Sequence, residues 1–284
     1  MRSQTSHSFH VEAATLDKTL VPVYGVVKGS PFEQIRSFHV ITGLPPDLMH
    51  DMLEGVIPIT LDVIAEKLIS CNSISRAALK KLFCDFTYGK TDVRNAPKSA
   101  NVSLLSMSAA ETWCVFRLLP FIIGDAIPQN DEFWELYISL AKICDIIFAP
   151  IIEDEWIPYL DVIVTEFYTL MKDLAPIRLK PKFHYMLHYP TLIKNFGPLR
   201  KLWCMRFEGY HQKIKRVLSI SKNFKNPCLT VSRRIQYSKC WELIGSDALC
   251  EKTSFTRDRV MKVKEAPPNV FLALGDDFIS SRED

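Results

Sequence analysis

No two cysteines of this sequence stand close enough for a C-x-x-C spacing. The eight are Cys71, Cys84, Cys114, Cys144, Cys204, Cys228, Cys240 and Cys250, and their separation excludes a zinc knuckle built within the chain. Several sit in apolar helical patterns, as in "TWCVFRLL" and "AKICDIIF", and read as reduced core thiols of an intracellular protein. Glycine is scarce, at 10 residues, and no G-x-x-x-x-G-K-[ST], G-x-G-x-x-G or G-x-S-x-G occurs. ATP-binding, dinucleotide-binding and α/β-hydrolase readings therefore have no support, and no nucleotide cofactor is expected. Long apolar runs are also lacking: "FRLLPFIIG" and "ICDIIFAPII" are too short and interrupted to span a bilayer. The opening "MRSQTSHSFHVEAATLDK" has no apolar signal core. The expectation is a soluble intracellular protein, nuclear or cytoplasmic, with no membrane partner.

What is present suits a folded chain. Of 284 residues, 48% are hydrophobic, enough for one large core or two modest ones. The net charge of +3 is mild, so any charge argument must rest on distribution. Residues 1–30 read as a polar arm with one or two short strands. "SFHVITG", residues 37–43, is β-prone and predicts another strand. Pro45 and Pro46 stop it, and Asp47 follows as a good helix N-cap. Leu48, Met52, Val56, Ile59 and Val63 recur at helical spacing, with Pro58 expected to bend or split that helix. Further helices are predicted over 76–88, from the capping box "SAAE" through Ile123, over 131–148, over 154–174, over 202–218 and within "TVSRRIQYSKCWELIG". A short helix broken near Pro190 falls within 180–199. Residues 89–103 read as a surface loop, and the tail from Ser254 carries β-prone pieces, "SFTRDRVMKV" and "NVFLAL".

Two stretches hold chemistry. "GLPPDLMHDMLEGVIP" sets Asp47, His50, Asp51 and Glu54 at a strand-to-helix turn. Either Asp47 merely caps the helix, with His50 and Asp51 as surface groups, or these side chains belong to a carboxylate metal site. The second stretch is basic. From Lys201 to Lys239 the only acid is Glu208, among Lys201, Arg206, Lys213, Lys215, Arg216, Lys222, Lys225, Arg233, Arg234 and Lys239. One reading gives the bases to phosphates and the acid to a metal. The other pairs Glu208 with Arg206 or Lys201 on a solvated face. His184 and His188 lie one helical turn apart, which suits core or interface histidines better than a zinc pair. His211, three residues after Glu208, could share its face. Trp113, Trp134 and Trp156 fall in helical patterns and are expected in the core.

Several long blocks carry a family resemblance. "FHVITGLPPDLMHDMLEGVIP", "ETWCVFRLLPFIIGDAIP", "IIFAPIIEDEWIPYL", "KPKFHYMLHYPTLIKNFGPLRKLWCMRFEGYHQKIKR" and "NFKNPCLTVSRRIQY" resemble, in order, DDE transposases of the CACTA/En-Spm-like kind. The resemblance covers roughly residues 20–240. It implies a mainly α fold holding a partial RNase H-like α/β core interrupted by a large all-helical insertion. The implied organisation is an N-terminal arm with a remnant RNase H-like strand and helix (1–54), the helical insertion (55–178), RNase H-like C-terminal helices with the basic run (179–245) and a tail (246–284).

Residue by residue, Asp47 matches the family's second catalytic Asp, His50 its following histidine and Glu208 its catalytic Glu; Asp51 is an alternative to Asp47. The implied metal ligands are Asp47 and Glu208, holding Mg2+ or Mn2+ in an active enzyme. The implied DNA contacts are Arg206, Lys213, Lys215, Arg216, Lys222, Lys225, Arg233 and Arg234. DNA, as transposon ends or nonspecific duplex, is the implied partner, and assembly as a homo-oligomer is the further expectation. Nothing in residues 1–40 resembles the strand bearing the family's first Asp. The chain therefore reads as the C-terminal portion of a transposase, catalytically incomplete and binding nucleic acid. A helical protein–protein interaction module, or an unselected relic with no DNA role, is the alternative.

Overall fold

The structure, a computed structural model, describes residues 2–97 and 106–244. Ser3 starts the first helix with a reciprocal cap: its hydroxyl accepts from Ser6 N–H, and the Ser6 side chain accepts from Ser3 N–H. That helix, α1 (Gln4–Leu16), occupies the segment expected to be a polar arm with strands. The expected strand over 37–43 is replaced as well. His39 Nδ1 accepts from Ile41 N–H at 3.1 Å and opens a short helical turn, Val40–Gly43. Phe38 packs against Gly43 so closely that an added Cβ would meet its ring at 2.3 Å. The β-branched run is thus overridden by a local cap and by a ring that only glycine admits. Among the described residues the chain is mainly helical and no strand forms, so the α/β portion of the expected fold is not met there. The β-prone pieces of the tail, Cys250 and residues 98–103 of the predicted loop lie outside the described residues.

The chain divides into two compact units. One comprises Met1–Asp47 with Lys142–Arg200; the other comprises Leu48–Ala141 with the residues from Lys201 on. In the first, His7 Nε2 meets Glu33 Oε1 at 3.1 Å, and His10 stacks on Tyr24 with ring centroids 4.2 Å apart. The same unit holds α6 (Trp156–Leu174), α7 (Pro181–Met186) and α8 (Tyr189–Phe196). Leu160, Ile163, Val164, Phe167 and Met171 form the buried stripe of α6, at helical spacing, and α7 and α8 both pack on that helix. Pro181 and Pro190 each stand in the first turn of a helix, where the missing N–H costs nothing. Gly197, at φ +76°, ends α8. His184 and His188 are neighbours, Nε2 to Nε2 at 3.2 Å. Burial is the main cause that holds the His188 pKa below its ordinary value, and the adjacent His184 acts in the same direction. The pair is a local contact on the protein's surface side, not a core element.

The second unit is built on a π-helical turn, Met49–Val56, that runs into α2 (Ile57–Ser70). Pro58 is the physical cause of the irregularity. It has no N–H to offer the Glu54 carbonyl, and the backbone departs from helical values at Glu54 (φ −117°, ψ 16°). Ile57 N–H then reaches back five residues to the Met52 carbonyl. Met49, Met52, Leu53, Val56 and Ile57 are buried, against α2 and α4 (Ala109–Ile123). Between these lies α3 (Arg76–Asp85), and beyond them α5 (Glu132–Ile147), within which the division between the units falls. The predicted capping box is present at the start of α4, with Ser108 and Glu111 bonded reciprocally. Asp131 Oδ1 accepts from Trp134 N–H at 2.9 Å at the start of α5.

A second proline deepens this core. Pro120 lies inside α4 and cannot donate to the Phe116 carbonyl one turn back. The Tyr137 hydroxyl of α5 takes that place, donating to Phe116 O at 2.9 Å in a buried contact. Tyr137→Phe leaves the carbonyl buried without this donor and is expected to cost about 1–3 kcal/mol. Urea unfolding would register the loss as a lower midpoint at unchanged slope; an unchanged midpoint would mean the bond carries no weight. Cys114 and Cys144 are buried, as the apolar patterns predict. Burial, then Asp92, pushes the Cys114 thiol up to about 11, and burial raises Cys144 well above the usual thiol value, so both stay inert. Cys71, Cys84, Cys228 and Cys240 are exposed instead. Trp134 is buried as expected, whereas Trp156 is 49% exposed.

The chain's basic end forms two helices, α9 (Met205–Ser221) and α10 (Pro227–Ile244), packed on each other with no buried residue in either. Lys222, at φ +47°, ends α9 in a left-handed cap.

Candidate functional site

The π turn and the start of α9 meet at His50. Its Nδ1 lies 3.3 Å from Cys204 Sγ, a residue 154 positions away in the chain. Its Nε2 lies 3.4 Å from Glu208 Oε1 and 3.7 Å from Glu54 Oε2. Cys204 is the N-cap residue of α9, and Glu208 occupies the first turn of that helix, where the macrodipole favours a carboxylate. Cys204 and Glu208 stand four apart on one helix face, with Sγ to Oε1 at 3.8 Å. Met49 Sδ lies 3.9 Å from the same sulfur.

This geometry assigns the two faces of the imidazole. Carboxylates at Nε2 favour the tautomer with its proton there, which leaves Nδ1 as the acceptor facing the Cys204 thiol. The side chains of His50 and Glu208 are 44% and 48% exposed. Their attraction is therefore screened and worth little to stability, and the cluster is open to solvent and to ligands.

The residues singled out by sequence distribute as follows. His50 and Glu208 come together within the second unit. Glu208 pairs with His50 and Cys204, rather than being explained by Arg206 or Lys201. Asp47 is the last residue of the first unit, half-buried in non-helical backbone three residues before His50. Asp51 is 4% exposed, inside the π turn. His211 is exposed on α9. Glu54 was among the side chains the sequence offered for a metal site, whereas Cys204 was not. The i, i+4 spacing Cys204–Glu208 is the signal that could have found it.

The basic residues lie on α9, α10 and the short connection between them. Arg206, Lys215, Arg216, Lys222, Lys225, Arg233 and Arg234 are exposed. Lys213 is only part-exposed, and its ammonium reaches Glu242 Oε1 at 3.3 Å. That bond, then one from Ser238, holds the Glu242 carboxyl below its ordinary pKa. Large apolar side chains stand out among these bases: Phe207, Phe224, Tyr237 and Trp241 are each more than two-thirds exposed. Arg233, Tyr237 and Trp241, spaced by four, share one face of α10.

No protein-family model, curated protein or solved structure matches the chain. Among the described residues no helix is long and apolar enough to cross a membrane.

Proposed function

We propose that this chain is a transposase-derived nucleic-acid-binding protein, the remnant of a DDE DNA transposase, whose helix pair α9–α10 holds the phosphate backbone. The observation that carries the reading is the exposure of seven of the sequence-derived contacts, Arg206, Lys215, Arg216, Lys222, Lys225, Arg233 and Arg234, on one packed pair of helices and the connection between them. Such a field neutralises phosphates and releases their counterions. Tyr237 and Trp241 beside Arg233 and Arg234 add π faces on which unpaired bases stack. The reading does not rest on an RNase H-like sheet.

The roles implied for Asp47, His50 and Glu208 belong to the same proposal. In a complete enzyme Asp47 and Glu208 would hold Mg2+ or Mn2+ together with a further carboxylate, and the ions would clamp the attacking and leaving oxygens.

A second reading, a helical protein–protein interaction module, is favoured by the exposed Phe224, Trp241, Leu243 and Ile244. Tryptophan fluorescence separates the two. Titrating a short duplex or single strand at low salt quenches the emission saturably, and Trp241→Phe removes most of the change. Emission indifferent to nucleic acid at low salt would abandon the DNA reading in favour of the interaction module.

A further inference from the structure

We infer that Cys204 and His50 bind a zinc-class divalent cation. The proposal does not depend on DNA binding. It begins from the donor chemistry: His50 and Cys204 are among the side chains of ligating type close enough together to hold a metal ion. Their atoms Nδ1 and Sγ stand 3.3 Å apart. Two ligands of one tetrahedral zinc, bound through nitrogen and sulfur, lie roughly 3.5 Å apart given the usual bond lengths. The pair therefore needs only a few tenths of an ångström of movement to admit the ion between them.

The rest of the cluster supports the same use. A metal-binding histidine commonly gives its other ring N–H to a carboxylate, which fixes the tautomer and the ring orientation. Here Glu208 Oε1 at 3.4 Å and Glu54 Oε2 at 3.7 Å occupy that position at Nε2. Glu208 is thus a positioning residue for the metal, acting through His50. Thiolate and imidazole donors select zinc-class ions, whereas magnesium takes oxygen donors and keeps its waters. A thiol beside the ring makes the pocket a poor magnesium site and a good zinc site. On binding, the Cys204 S–H bond gives its proton to solvent and the sulfur lone pair forms the bond to the metal.

Cobalt(II) is the probe. The reduced full chain, freed of metal, is titrated with Co2+ and its absorbance recorded. The expected result is a saturable sulfur-to-cobalt charge-transfer band at one equivalent, bleached by one equivalent of Zn2+ and untouched by excess Mg2+. Cys204→Ser abolishes the band and His50→Gln weakens binding at least 10-fold. Glu208→Gln keeps the band and weakens binding by about 10-fold to 100-fold. Circular dichroism of each variant establishes that it is folded. The proposal is overturned if no band forms, if the band survives in Cys204→Ser through one of the exposed cysteines, or if His50→Gln binds as tightly as the parent.

Discussion

Replacing Lys215, Arg216, Arg233 and Arg234 together with glutamine is expected to lower affinity for a short DNA duplex by roughly 100-fold or more near 0.1 M salt. Each of these side chains is exposed, so each can reach a phosphate without rearranging the core. Glutamine keeps much of the aliphatic stem and some hydrogen bonding but removes the charge that displaces counterions. Lys213 is left out of the set because Glu242 already holds its ammonium. Exposed substitutions of this kind move stability by only a few tenths of a kcal/mol each, so the loss reports binding and not unfolding. Fluorescence anisotropy with a labelled duplex gives the comparison. Equal affinity in parent and variant would remove the helix pair from any account of DNA contact.

Phe167→Ala is expected to have the largest effect on folding. Phe167 is 1% exposed on α6, and its ring stacks on Phe183 of α7 at 6.2 Å with an interplanar angle of 13°. Truncation removes the buried ring and leaves a cavity beside a second buried aromatic, and costs of this kind run to about 3–5 kcal/mol. That is a large share of the net stability of an ordinary domain. Because the two units are separate compact bodies, the expected signature is selective. Hydrogen exchange in α6, α7 and α8 accelerates strongly, while α2 and α4 keep their protection. A loss below about 1 kcal/mol in urea unfolding would mean that this core re-closes over the gap.

Much of the helical architecture was legible because it is written in local chemistry. The "SAAE" box, Asp131 ahead of α5 and the prolines opening α7 and α8 each act within one turn of the chain. The bend at Pro58 was legible too, though not its form. The missing N–H dictates a defect, but whether the chain answers with a kink or a π turn depends on how Met49, Met52 and Leu53 seat in the core. The strand predicted over 37–43 failed for a related reason. β-branched residues favour an extended chain only where a partner strand exists, and the His39 cap with the Phe38–Gly43 contact offered a cheaper local alternative.

The site was half legible. His50 and Glu208 were marked by the family resemblance, and the fold brings them to 3.4 Å. Cys204 was not, because a cysteine next to Trp203 and Met205 reads as a small hydrophobe until the fold places a ring nitrogen against its sulfur. The basic run was legible as a charge pattern. The tie between Lys213 and Glu242 was not, since it spans the loop joining α9 to α10.

The most direct test of the central claim is the salt dependence of duplex binding by the intact chain. Each phosphate neutralised contributes about −0.9 to the slope of log K against log salt. With the exposed bases of α9 and α10 engaged, the slope should be about −3 or steeper, and it should flatten by roughly one for each base removed. A slope near zero, or binding undetectable even at the lowest salt, would contradict the assignment of this helix pair to nucleic acid.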